Sequence, residues 1–325
     1  MTRTVTAGLD GSAESRAAAM GAPPTPLGQW GRAAREAELR GLPLKIVHVW
    51  EPVPDPMAQA PLLGPETHQH RTERSEMGAP PAEGWGSIPR EAAEELRLRH
   101  PGVEVVGEQV SGSAGEVLVE ASKGAALLVL GSRALGGVGG FLVGSVGLSV
   151  VAHAESPVVL VRAGEQAADE HRTDPAGIPS TATPFRPVVL GLDTDHPDET
   201  LIEFAFDAAL RRATSLRVVH AWFPPPYYAY GMPVDPPLHE ALALEQSQAL
   251  TEALSPWRQK YPDVETVEVS RFGSAAEQLV EASGEASLVV VGRRIRRGAL
   301  GAHIGHVTHA VLHHATAPVA VVAHG

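Results

Sequence analysis

The run Gly131-Ser132-Arg133-Ala134-Leu135-Gly136-Gly137-Val138-Gly139-Gly140 is followed, after three apolar residues, by Gly144-Ser145 at the head of a helical pattern. Glycines let backbone N–H groups approach an anion closely and tolerate positive φ. A helix start adds free N–H donors and a partial positive charge. Ser145 can cap that helix and offer its hydroxyl to a phosphate oxygen. Arg133 would add charge at the rim. Asp10-Gly11-Ser12 closes the first apolar run. The Asp10 carboxylate is poorly suited to meeting phosphate. It fits a ribose hydroxyl, or a divalent cation such as Mg²⁺ carried on the phosphates. The same glycines would equally serve a tight turn and close helix packing, and the loop alone does not decide between the two.

For these residues to meet, strands must end together. Short Val/Leu/Ile runs at 5–9, 44–49, 103–108, 126–130 and 158–161 alternate with helical patterns at 32–40, 89–99, 114–123 and 145–154. A second series has strands near 188–192, 216–221, 264–270, 288–291 and 319–322. Continuous apolar strands separated by helices imply a parallel sheet buried on both faces. The expected fold is α/β: two tandem flavodoxin-like or Rossmann-like domains, each a five-stranded parallel doubly wound sheet. Ligands of such folds sit beyond the carboxyl ends of the strands. Asp10 and the glycine loop are both expected at that edge.

The two series are a duplication. VVLGLDTD (188–195) echoes TVTAGLDGS (4–12), and LRVVHAW (216–222) echoes LKIVHVW (44–50). The pairs Gly131/Gly292, Gly144/Gly305 and Pro157/Pro318 are each 161 positions apart. The first copy has 11 extra residues between Asp10 and His48, assigned to residues 21–31, and 11 more between His48 and Gly131, assigned to the Pro-rich stretch 51–89. The first insertion predicts an interrupted helix with a Pro/Gly loop before Arg32. The expected organisation is a domain over 1–162, a polar linker over 163–186 and a second domain over 187–325.

Composition narrows the function. The chain lacks cysteine and carries a formal net charge of −12. Thiol chemistry is excluded, and nucleic acid and anionic membranes are unsuited as partners. Apolar runs are strand-length and the first residues lack a signal pattern, so a cytoplasmic location is expected. GxxxxGK[ST], a GxGxxG at the first strand–helix turn and GxSxG are all missing.

Gly131-x2-Ala134-x9-Gly144-Ser145, with Asp10 in LDGS, HVW after strand 2 and the closing SPVVLV, resembles the universal stress protein family over nearly the whole chain. Its ATP-binding members carry G-x2-G-x9-G-[ST]. The resemblance implies ATP, with or without Mg²⁺, held by Asp10 and Gly11 at ribose and adenine, by the Val49 backbone at adenine, by Gly131 and Arg133 at the phosphate entry, and by Gly144, Ser145 and Val146 at the phosphates. Ala134 stands where the family has its second glycine, at a cost of about 1 kcal/mol if that position needs positive φ. The second copy departs further. It has Ile295 and His306 at the glycine and Ser/Thr positions, Thr194 after Asp193, and Arg293, Arg294, Arg296 and Arg297 in the loop. It reads as a degenerate site, although the arginines could still hold an anion.

His306, His309 and His313 share a helix face, a spacing that can hold a transition metal but more often marks a solvated surface. His48 and His220, at matching strand ends, read as buried histidines bonded to backbone. Tyr227, Tyr228 and Tyr230 follow Pro224–Pro226 in a loop that would serve as a lid or a contact surface. The Val-rich final strands need covering. The family pairs them about a two-fold axis, and here the two copies could pair within one chain, with further self-association possible. The expected function is an ATP-binding regulatory stress-response protein acting through a protein partner, with little hydrolysis. The alternative is a nucleotide-free dimerisation or adaptor scaffold in which both sites are degenerate.

Overall fold

The computed structural model describes residues 3–9, 27–50, 88–131, 143–162, 164–224, 236–295 and 303–325. In the first half, β1 (Thr4–Leu9), β2 (Leu44–Trp50), β3 (Val105–Ser111), β4 (Ala125–Gly131) and β5 (Val158–Val161) alternate with helices. These are α1 (Leu27–Arg40), α2 (Ile88–Arg99), α3 (Ala114–Ser122) and α4 (Ser145–His153). A 3-10 turn at Ala167–Glu170 precedes the second half. There, β6 (Val188–Gly191), β7 (Leu216–Trp222), β8 (Thr266–Phe272), β9 (Leu288–Arg294) and β10 (Val319–His324) alternate with α5 (Glu199–Arg211), α6 (Pro236–Lys260), α7 (Ala275–Ser283) and α8 (His306–His314).

All ten strands form one sheet in the order β3-β2-β1-β4-β5-β10-β9-β6-β7-β8. Each half is parallel, and the halves meet through an antiparallel pair, with Val319 opposite Leu160 and Val321 opposite Val158. The pairing considered for the Val-rich final strands therefore occurs within one chain. β5 and β10 each cover the other's edge, and every β5 side chain is buried. One apolar layer packs α1, α2, α5 and α6 on one face of the sheet. The other packs α3, α4, α7 and α8 on the opposite face. This is the two-faced burial that the continuous strand pattern requires.

Several boundaries differ from the sequence expectation, three of them at the start of an element, and β3 and β9 end three residues later than expected. Helix α1 begins at Leu27, not Arg32, and Trp30 in its first turn joins the core. The last of the upstream prolines is Pro26, and Gly28 and Gly31 cost a helix only about 1 kcal/mol each. Strands β3 and β8 start two residues later than expected. Val103 and Val264 instead plug the core from the turn before the strand, with amides bonded to the His100 and Tyr261 carbonyls at 3.0 and 3.1 Å. Residues 164–186 fold back on themselves. The Arg172 amide donates to the Pro184 carbonyl, the Arg186 amide to the Glu170 carbonyl, and the His171 and Phe185 rings lie 4.1 Å apart.

Candidate functional site

Gly8 lets the first crevice form. A Cβ there would stand 2.5 Å from Leu118 Cδ2 and 2.7 Å from Leu130 Cδ2, so any larger residue would force those leucine ends to shift where α3 closes on β1. Gly191 repeats the arrangement against Leu279 at 2.7 Å. The β1–β4 register ends at Gly8 opposite Leu130, and the β1–β2 register ends at Leu9 opposite His48. Gly131 and Val49 each lie one residue past those ladders, flanking the point where the chain leaves β1. With strand order 3-2-1-4-5, this is the topological switch point of the first half.

Val49 is fully buried near the end of β2, where it pairs with Val110 of β3. Gly131 is exposed at the end of β4, paired on its far side with Val161. Gly144 is the N-cap of α4 with extended backbone and no side-chain cap. The first helical bond of that turn runs from the Leu148 amide to the Gly144 carbonyl at 3.0 Å. The amides of Ser145, Val146 and Gly147 precede it and have no intrahelical acceptor. Ser145 is exposed. Three uncapped amides, a hydroxyl and a positive helix end suit phosphate oxygens. Val49, Gly131, Gly144, Ser145 and Val146 thus gather at one sheet edge. Asp10, Gly11, Arg133 and Ala134 lie outside the described residues, as does the Mg²⁺ role assigned to Asp10.

The second copy is built differently at the same edge. Strand β9 runs through Gly292 to Arg294, paired with β10 as far as His324. The Ile295 amide donates to the His324 carbonyl at 2.7 Å. His324 Nε2 lies where a Cβ on Gly292 would stand 2.7 Å away. Arg293 is buried and donates to the Ala154 carbonyl of the first half, so it is committed to the interface between the halves. Arg294 is exposed, and Arg296 and Arg297 lie outside the described residues. Asp193 accepts the Asp195 amide at 3.1 Å and faces His196 at 3.5 Å in a local turn. Gly305 caps α8 without a side-chain bond, and His306 follows it, exposed.

His220 is buried, with Nδ1 3.1 Å from the Leu192 carbonyl and Nε2 2.9 Å from Gln246 Oε1. Its backbone bond matches the structural role expected for it. His48 is buried at the matching place. The His309 and His313 rings lie 4.5 Å apart, but no group of three metal-ligating side chains occurs among the described residues. Tyr227, Tyr228 and Tyr230 lie outside them.

Sequence reasoning missed a buried charge cluster. Arg32 in α1 meets Glu36 at 3.0 Å and Glu170 at 2.7 Å, and Glu36 also binds Arg212 from the second half. Arg40 reaches Asp207 in α5 at 3.2 Å. Burial opposes ionisation of Glu36, but Arg212, Arg32 and Arg40 overcome it and hold its carboxyl below the usual range. The signal was present but faint: from Arg32 to Arg40, α1 sets only three alanines and Leu39 between five charged residues, little apolar area for a helix buried in the core.

The universal stress protein family model matches residues 1–162 and 184–323. The chain belongs to this family. A universal stress protein of Mycolicibacterium smegmatis is 32% identical over 321 residues, covering 97% of this chain and 95% of that protein. A universal stress protein of Mycobacterium tuberculosis is 34% identical over 326 residues, covering 98% and 96%. Among solved structures, a universal stress protein from Archaeoglobus fulgidus aligns over 99% of both chains with TM-score 0.59 at 14% identity, a likeness of fold. For this tandem universal stress protein, no helix among the described residues is long and apolar enough to cross a membrane.

Proposed function

We propose that this universal stress protein is an ATP-binding regulatory protein that holds one nucleotide in its first domain. What supports the reading is that β1, β2 and β4 end side by side at the first switch point and that α4 starts without a side-chain cap. Asp10 and Gly11 follow Leu9 directly in the chain and would serve ribose and adenine. Arg133 and Ala134 follow Gly131 closely in the chain and would serve the phosphates, with Mg²⁺ accompanying them. The second domain serves pairing. His324 crowds Gly292, and Arg293 is spent on Ala154. The working division is a domain over 1–162, a linker over 163–186 and a second domain over 187–325. Occupancy is read by a protein partner in the cytoplasm during stress, with slow hydrolysis at most. Further self-association would use surfaces other than β5 and β10.

The test is nucleotide content after purification without added ligand, by denaturation and mass spectrometry, alongside Asp10→Ala. ATP near one per chain, lost in the variant, is expected. About two per chain would overturn the one-site reading. None, with no binding on titration, would favour the nucleotide-free scaffold.

A further inference from the structure

Arg162 is the first residue past β5 and is half-buried. Gly131, the last residue of β4, pairs with Val161, so Arg162 lies one step beyond the partner of Gly131. Side chains alternate along β5. Val159 and Val161 belong to the layer of α1, α2, α5 and α6, and Val158 and Leu160 to the layer of α3, α4, α7 and α8. The next residue in this alternation, Arg162, falls on the α4 face. Arg162 also lines a cleft with Ser283 of α7 and with Thr316 just after α8, both on that same face.

Helix α4 starts beside this point. It runs against the strands, because it follows β4 and its end leads through residues 154–157 to the start of β5. A Cβ on Gly147, in its first turn, would stand 3.8 Å from Leu160 Cδ2. From that contact, Arg162 lies two residues further along β5, about 7 Å towards the sheet edge. Gly144 lies three residues back along the helix, about 5 Å in the same direction. The Arg162 backbone therefore stands beside the start of α4. Its side chain is long enough to reach an oxygen held by the amides of Ser145 and Val146.

Two carboxylates share the cleft. Glu165 is only 5% exposed and stands 3.5 and 3.9 Å from Arg32 and Arg35. Burial pushes its carboxyl up to about 7; Arg32 and Arg35 oppose this, and Glu170 and Asp169 add to it. A partly ionised Glu165, shared with two arginines of α1, competes weakly with a phosphate for Arg162. Exposed Asp169 accepts the Gln166 amide through Oδ2 at 2.9 Å.

We propose that Arg162 is a further binding residue of the first site, placing its guanidinium on the phosphates furthest from the base and so favouring nucleoside di- and triphosphates over monophosphates. It rests on the nucleotide reading of the first domain. That reading sets the base at β2, the ribose at β1 and the phosphate entry at β4. In the strand order β2-β1-β4-β5, the next strand is β5. Three strand spacings, about 14 Å, separate β2 from β5, a span that calls for phosphates beyond the first. A planar guanidinium can give two parallel bonds to phosphate oxygens. The residue 161 positions on from Arg162 is Ala323, so the second copy has an apolar methyl where the first has a cation.

The test is calorimetric titration of the nucleotide-stripped full chain with ATP, ADP and AMP at one salt concentration. The unaltered chain should bind ATP and ADP more tightly than AMP. Arg162→Gln should lose about tenfold or more in affinity for ATP and less than about threefold for AMP. A loss shared equally by ATP and AMP, or no loss for ATP, overturns the proposal while the nucleotide reading stands. If the unaltered chain binds none of the three, the nucleotide reading falls and the role of Arg162 with it. If Arg162→Gln does not fold, Arg162→Lys keeps the charge but not the paired donors, and the same comparison of ATP with AMP decides.

Discussion

Arg32 Nη1 lies 2.7 Å from Glu170 Oε2, and this buried contact joins helix α1 to the segment between the two domains. Helix α1 also meets the second domain directly, through Glu36 with Arg212 and through Arg40 with Asp207. The helix that follows the proposed nucleotide strand is therefore held by charges from both other parts of the chain. Breaking one partner of a buried pair strands the other in a low-dielectric site, at about 3–5 kcal/mol. Arg32→Met should lower the unfolding free energy by an amount in that range. A cycle with Glu170→Gln should return a coupling of about 1–3 kcal/mol. Additive single effects in urea unfolding would remove the pair from the account.

Much of this fold was legible in the residues. The period of apolar runs gave the ten strands and the four helices of the first copy, because strands buried on both faces must read as continuous Val/Leu/Ile. The internal repeat placed Gly131, Gly144 and Ser145 at one edge. What escaped was the contact between parts far apart in sequence. Nothing in AGEQAADEHR separates a buried Glu170 from a solvated one, since its partner Arg32 lies well over a hundred residues away. The late starts of β3 and β8 escaped for a local reason. Val103 and Val264 read as strand residues, yet each is used as a plug in the preceding turn.

Glu165 predicts a pH dependence of opposite sign to the usual carboxylate. Its ordinary value is 4.5 and in the folded chain it stands at about 7. The folded state therefore binds more protons between those values, and stability falls as pH rises through that window. At about 1.4 kcal/mol per unit, the full effect is up to about 3 kcal/mol. Glu165→Gln should be more stable than the unaltered chain above about pH 7 and nearly equal to it below about pH 5. Glu36 works the other way, losing stability only as pH falls below the usual carboxylate range. Parallel stability–pH curves for the two proteins would contradict the Glu165 assignment.

Gly8→Ala tests the close approach of α3 to β1. The added methyl would meet Leu118 at 2.5 Å and Leu130 at 2.7 Å in a packed layer. Overpacking of this kind costs about 1–3 kcal/mol. Thermal unfolding should show the loss, and Leu118→Ala in the same chain should cost less than the sum of the two single changes. A neutral Gly8→Ala would mean that α3 yields easily.

Ser145→Glu separates helix stability from nucleotide affinity. Ser145 is the first residue of α4, after an N-cap that lacks a side-chain bond. A carboxylate there favours the helix by about 0.3–1 kcal/mol through the dipole. The same charge competes for the free amides and repels phosphate. The ligand-free variant should therefore unfold at the same temperature or higher, while ATP titration shows at least about a tenfold loss in affinity. The unaltered chain, with ATP at about a hundred times its dissociation constant, should gain about 2.7 kcal/mol, and the variant should gain much less. If Ser145→Glu binds ATP undiminished, the phosphates do not sit at the start of α4, and the first crevice must be assigned a different ligand.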